Sequence, residues 1–228
     1  MCTRYISPEA GAIERHWHVG ARNPVPWARD MFPNYLGPFI RAARESTTFE
    51  RELVVGQWGL VPWFAKERKL KFPTSNARSE ELSEKASYKH PWARGQRCII
   101  PAESFFEPCW ETGKHVPWRF KRTDGEPWSL AGLWNTWTDK ETGEVVESYT
   151  LLTINADAHP LMGRMHRPDP KRPPNLQDKR SVIPIEPADL DLWLSAPLAL
   201  AASLMRLAPV ERFDAAPAAP PTPRAAQP

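Results

Sequence analysis

Cysteine is scarce in this chain, with 3 in 228 residues, and the three are scattered at Cys2, Cys98 and Cys109. So small a set excludes a disulfide framework, and the absence of any C-x-x-C pair removes the commonest structural zinc signature. His16 and His18 flank one tryptophan without further ligands nearby, so no metal or other cofactor is expected. A reduced protein points to a cytoplasmic location. Long apolar runs are also missing. No stretch approaches the ~20 residues that cross a bilayer, and MCTRYISPEAGAIERHW lacks the apolar centre of a secretory signal, so no membrane partner is expected. Charge of one sign is lacking as well. With 30 Lys+Arg against 27 Asp+Glu, the net charge is only +3, so any nucleic-acid surface must be built by local clustering rather than by bulk field.

What the chain does have is proline and tryptophan, 26 and 11 residues respectively, on a length that suits one domain with a tail. The tail is expected at 208–228, where Ala215 to Pro228 is nearly all Ala and Pro and cannot supply a core. The domain is expected at 1–207, acting as a monomer. Short β-branched and aromatic segments bounded by Gly, Pro, Asn and Asp predict strands at Glu52 to Leu60, Arg97 to Pro101, Pro117 to Lys121, Trp128 to Trp137, Ser148 to Asn155 and Ser181 to Ile185. A helix is predicted over Ser79 to Tyr88, and Glu186 to Leu207 reads as two short helices split by Pro197. The fold class is α+β, a strongly bent antiparallel sheet or open β-barrel with flanking short helices.

Cys98 lies in an apolar strand and Cys109 follows Glu107-Pro108, so both read as small hydrophobes. Cys2 differs by position. If Met1 is removed, this cysteine carries both an α-amine and a thiol. The amine titrates near ~7.7–8.0, so a useful fraction is an unprotonated nucleophile at neutral pH. It can attack an aldehyde, and the thiol on the same residue can close a thiazolidine on the imine carbon, helped by effective molarities of ~10⁵–10⁸ M. The bland alternative is an accidental cysteine at position 2.

Three other segments bear on that choice. In Thr74 to Glu80, Asn76 offers a two-way amide and Arg78 a phosphate fork, or else the segment is a capping turn. Phe105-Phe106-Glu107 puts a carboxylate after two aromatics, a setting expected to raise its pKa and suit a general acid, unless Glu107 is simply salt-bridged. Met162 to Arg167 sets His166 among arginines, which favours an uncharged imidazole as base or proton shuttle, or places an ordinary surface histidine in a basic loop.

Five segments occur in an order that resembles the SOS-response-associated peptidase (SRAP) family of abasic-site processing proteins. They are Met1-Cys2-Thr3-Arg4, Trp58 to Trp63 (WGLVPW), Asn76 to Glu80 (NARSE), Arg97 to Glu107 (RCIIPAESFFE) and Asn155 to His166 (NADAHPLMGRMH). The resemblance covers roughly residues 1–207. It implies that Cys2 captures the ring-opened sugar aldehyde of an abasic site in single-stranded DNA as a thiazolidine cross-link, with no cofactor. It further implies that Asn76 positions Cys2 and the sugar, that Glu107 is the acid for ring opening and Schiff-base formation, and that His166 shuttles protons and assists reversal. Arg4, Trp63 and Arg78 would line the DNA path, joined by Arg164 and Arg167, and an autopeptidase activity would remove Met1.

The sequence departs from the family pattern in three places: a Pro-rich stretch follows His166 before Lys179, Pro108 stands where an aromatic is usual, and FPNYLGP weakens any role for Asn34. Two alternatives remain open on these residues, an N-terminal-nucleophile amidohydrolase and a non-covalent single-strand binder using aromatics interleaved with Lys66, Arg68, Lys69 and Lys71.

Overall fold

The computed structural model describes residues 1–219 apart from Arg22, Pro24 and Glu45. In chain order its elements are β1 (Tyr5–Ile6), α1 (Ala10–Trp17), β2 (Asp30–Met31), β3 (Leu36–Ala42), β4 (Arg51–Trp58), β5 (Asn76–Arg78), α2 (Ala86–Ala93), β6 (Arg97–Ala102), β7 (Ser104–Cys109), β8 (Val116–Arg122), β9 (Trp128–Thr138), β10 (Val145–Asn155), β11 (Arg180–Val182), α3 (Leu190–Ser195), α4 (Leu198–Ser203) and β12 (Phe213–Pro217).

Strand β10 organises the fold because it is long enough to pair along both edges. One edge pairs antiparallel with β9 from Val145↔Thr138 to Leu151↔Gly132 and then with β11 at Thr153↔Val182. The other takes β4 in parallel at Ser148↔Gln57 and then β5 at Leu151↔Asn76. With β4–β3, β3–β6 and β6–β9 all antiparallel, the path β10-β4-β3-β6-β9 returns to β10 and closes a five-strand barrel. The expected open barrel is therefore closed, through one short parallel contact. A second antiparallel sheet has the order β12-β8-β7-β1-β2.

Successive strand residues point to opposite faces, and here both faces are covered. Phe39, Val54, Trp58, Ile100, Leu130, Tyr149 and Leu151 join Tyr5, Phe105 and Phe120 of the second sheet in one core. Their neighbours Ile40, Leu53, Ile99, Ala131, Leu133 and Leu152 meet Ile13, Trp17, Tyr88, Trp92 and Trp193 of the helices in another. Double burial explains why RCIIP and YTLLTI are almost continuously apolar instead of alternating.

Two expectations change. The domain extends past 207, because β12 pairs with β8 from Phe213↔Arg122 to Pro217↔Trp118. The Ala/Pro composition misleads there, since an edge strand tolerates a proline; the remainder of the expected tail, 220–228, lies outside the described residues. The helix expected over Ser79 to Tyr88 is instead a 3-10 turn at Ser79–Glu81 followed by α2. Burial of Tyr88 and Trp92, one turn apart, carries α2 through Pro91, where the sequence reads as a stop. The two helices divided by Pro197 do form. Among the described residues no helix is long and apolar enough to cross a membrane.

Candidate active site around the amino terminus

Cys2 comes to the site because the strand that follows it is clamped to β7: Tyr5 pairs with Phe105, and the Phe106 amide donates to the Arg4 carbonyl at 3.0 Å. On β7 the alternation that buries Phe105 also turns Glu107 inward, and its side chain is fully buried. Asn76 arrives on β5, and its Nδ2 donates to the Cys2 carbonyl at 2.7 Å. His166 follows the 3-10 turn Met162–Arg164. Its amide donates to the Pro108 carbonyl at 2.6 Å, and its φ is +64°, a left-handed conformation that costs a side-chain-bearing residue about 1–2 kcal/mol. Cys2, Asn76, Glu107 and His166 are thus gathered from four separate segments.

The Met1 amine lies 2.7 Å from His166 Nε2 and 3.6 Å from Glu107 Oε2. The same Nε2 is 2.7 Å from Glu107 Oε2. One ring nitrogen cannot both accept an ammonium proton and donate to a carboxylate, so amine, imidazole and carboxylate share a proton position. Burial would push the Glu107 carboxyl up, but the facing α-ammonium and His166 outweigh it and hold it below its ordinary value. This reverses the expectation drawn from the two preceding aromatics: the charges that face Glu107 count for more than its apolar neighbours on the chain. The buried Cys2 thiol, which donates to the Arg4 carbonyl at 3.3 Å, is pushed up to about 12 by burial and then by the negative charge of Glu107. Asn76 Oδ1, Glu107 Oε1 and His166 Nδ1 are buried without a hydrogen-bond partner.

The residues expected along a DNA path are more dispersed and mostly paired. Arg4 makes a two-pronged contact with Asp30 at 2.7 and 2.8 Å and lies over Phe106. Arg78 meets Asp178 at 2.7 Å and Glu81 at 3.3 Å, and Arg164 meets Glu111 at 2.7 Å and lies over Trp118. Arg167 lies over Trp110. Trp63 is the most exposed of these aromatics at 62%, with Phe64 and His90 against its edges. Sequence reasoning missed Asp30, Glu111, Asp178 and Lys179, which come from loops and strand ends without periodicity. Lys179 has the one available signal, as the first of two cations ahead of the apolar SVIPI segment. Among the described residues no cluster of three or more His, Cys, Asp or Glu is arranged to hold a metal ion.

A profile of the SOS response associated peptidase (SRAP) family matches residues 1–220. Among curated proteins, the abasic site processing protein HMCES of Gallus gallus is 30% identical over 172 residues, 60% of this chain and 51% of that protein. The abasic site processing protein YoqW of Bacillus subtilis is 36% identical over 113 residues, 48% of each. The chain thus spans about half the length of the curated relatives it matches. A crystal structure of a protein from Bordetella bronchiseptica superposes with a TM-score of 0.83 at 34% identity, covering 96% of this chain and all of that one. A Bacteroides thetaiotaomicron protein shares the fold at TM-score 0.75 and 21% identity. The family profile over nearly the whole length, on a chain whose motif residues meet at one buried site, establishes that this protein belongs to the SOS response associated peptidase family.

Proposed function

We propose that the protein processes abasic sites in single-stranded DNA by covalent capture, after loss of Met1, through the amine and thiol of Cys2. The observation that carries this reading is the convergence of the amino terminus, Glu107 and His166 on a shared proton position, beside an Asn76 that grips the Cys2 carbonyl.

The chemistry follows from those contacts. The amine of Cys2 attacks the aldehyde carbon of the ring-opened sugar to give a carbinolamine. Protonation of its hydroxyl by Glu107 expels water and leaves an iminium ion, whose N–H proton returns to the carboxylate to give the imine. The thiol then adds to the imine carbon while the nitrogen takes up a proton, closing the thiazolidine; one water is released overall. Glu107 can serve as acid because the ammonium that holds it down is that of Met1; with Met1 gone and the Cys2 amine unprotonated, burial favours a protonated carboxyl. The 2.7 Å contacts of His166 Nε2 with the Met1 amine and with Glu107 support a part for it in carrying protons between the amino terminus and the carboxylate. A thiol held near 12 is a poor first nucleophile, which favours amine-first capture over thiolate attack on an amide. The contacts of the Met1 amine with both side chains also support a part for Glu107 and His166 in the removal of Met1.

The test is the intact mass of the purified protein, with and without a single-stranded oligonucleotide carrying one abasic site. A chain lacking Met1 and a denaturant-stable adduct, absent in Cys2→Ala and formed at least ~100-fold more slowly in Glu107→Gln, are expected. A verified Cys2 amino terminus that yields no adduct ends this reading.

A further inference from the structure

Lys179 is only 7% exposed, a rare position for a lysine. Its ammonium donates a hydrogen bond at 2.7 Å to a backbone carbonyl, that of His166. The largest charge compensation comes from the field of Asp157, whose two oxygens accept from the amides of Asp178 and Lys179 at 3.0 and 2.8 Å. Ala156 in turn donates its amide to the Lys179 carbonyl at 2.7 Å. The backbone of Lys179 is therefore fixed to the end of β10, and its side chain reaches across the base of the loop 167–178 to the one residue of the site whose backbone is left-handed.

A left-handed histidine away from a helix end persists where the surrounding structure over-determines its backbone. At His166 the amide is held by Pro108 of β7 and the carbonyl by Lys179. Releasing the carbonyl leaves the peptide that leads into the loop free to turn, so φ of His166 can relax out of the left-handed region; rotation about N–Cα carries Cβ with it and takes Nε2 off its 2.7 Å approach to Glu107. We propose that Lys179 is a positioning residue of the reaction, which holds His166 in its left-handed conformation and so aims its imidazole at Glu107 and the amino terminus. This rests on the covalent-capture reading above.

Lys179→Met, Lys179→Arg, His166→Ala and the double variant Lys179→Met/His166→Ala are compared in the full chain. The readouts are melting temperature, formation of the adduct with abasic single-stranded DNA, and its release across pH 5–9. Lys179→Met removes a buried charge while keeping the length of the side chain, so its melting temperature should equal or exceed that of the wild type. The His166-dependent step should nonetheless slow about tenfold with an altered pH profile. Lys179→Arg should recover most of the rate, and the double variant should be no slower than His166→Ala. A Lys179→Met protein with the wild-type rate and pH profile overturns the proposal, as do effects of the two substitutions that multiply. If Lys179→Met fails to fold, a Lys179→Arg protein that folds but matches His166→Ala in rate also overturns it. Failure of the wild type to form any adduct would instead remove the underlying reading.

Discussion

Glu107 and Glu80 show how far a carboxylate's behaviour is set by what faces it. Flanking aromatics suggest a raised acid at Glu107, yet the α-ammonium and His166 hold it down against burial. A linear reading cannot see this, because His166 lies on a distant loop. Glu80 is the clearer case for measurement. Its carboxylate grips the Arg180 guanidinium with two oxygens, one at 2.8 Å, and is lowered from the usual 4.5 to about 2, chiefly by that hydrogen bond. A lowered folded-state value means the ionised group favours the folded protein at every pH above ~4.5, and that this contribution fades as pH falls through ~2. The urea midpoint of the wild type should therefore exceed that of Glu80→Gln by a constant margin above pH 5, and the two should converge by about pH 2. A margin that persists to pH 2 contradicts the ion-pair account.

At the scale of elements, the six strands expected from apolar segments all coincide with observed strands, because each is buried on at least one face. Six strands went unread: β12, assigned to the tail, β3, whose apolar run is interrupted by Pro38, and four others. β1, β2 and β5 are two or three residues long. β7 follows β6 after a single residue and contains Pro108, which sits opposite Pro117 of β8. The candidate site was legible to the extent that residues singled out in ordered motifs, Cys2, Asn76, Glu107 and His166, lie together in the fold. It was illegible where charge partners such as Asp30 and Asp178 come from loops that only the fold brings near. Barrel closure gives a further expectation. A Cβ on Gly132 of β9 would lie 2.6 Å from the Thr150 carbonyl of β10 and 2.3 Å from Ile100 Cδ1 of β6. The first of these is backbone and cannot yield without moving a strand. Gly132→Ala should cost about 1–3 kcal/mol, read from denaturant unfolding; a cost near zero would mean that the barrel wall has slack at this point.

Across the whole molecule, the second sheet and the barrel are joined by a shared aromatic core rather than by continuous strand pairing. Phe105 stacks on Phe120 at 5.1 Å, and Phe213 of β12 packs on both and, at 5.3 Å, on Trp128 of β9. Phe213 thus ties the last strand to both units, although composition assigns that strand to a tail. Phe213→Ala should cost about 2–3 kcal/mol, near the low end for aromatic truncation because the ring is only partly buried. That corresponds to a fall in melting temperature of roughly 4–12 °C for a chain of this size; an unchanged melting temperature would show that β12 is dispensable. The central place of β10 also has a temporal consequence. Asn76 and its strand dock onto β10, and His166 and Lys179 follow it in the chain. During synthesis the amino terminus therefore meets the Asn76 amide and the His166 imidazole only after β10 has emerged. Under the covalent-capture proposal, Cys2 stays chemically ordinary on the nascent chain until those two groups arrive.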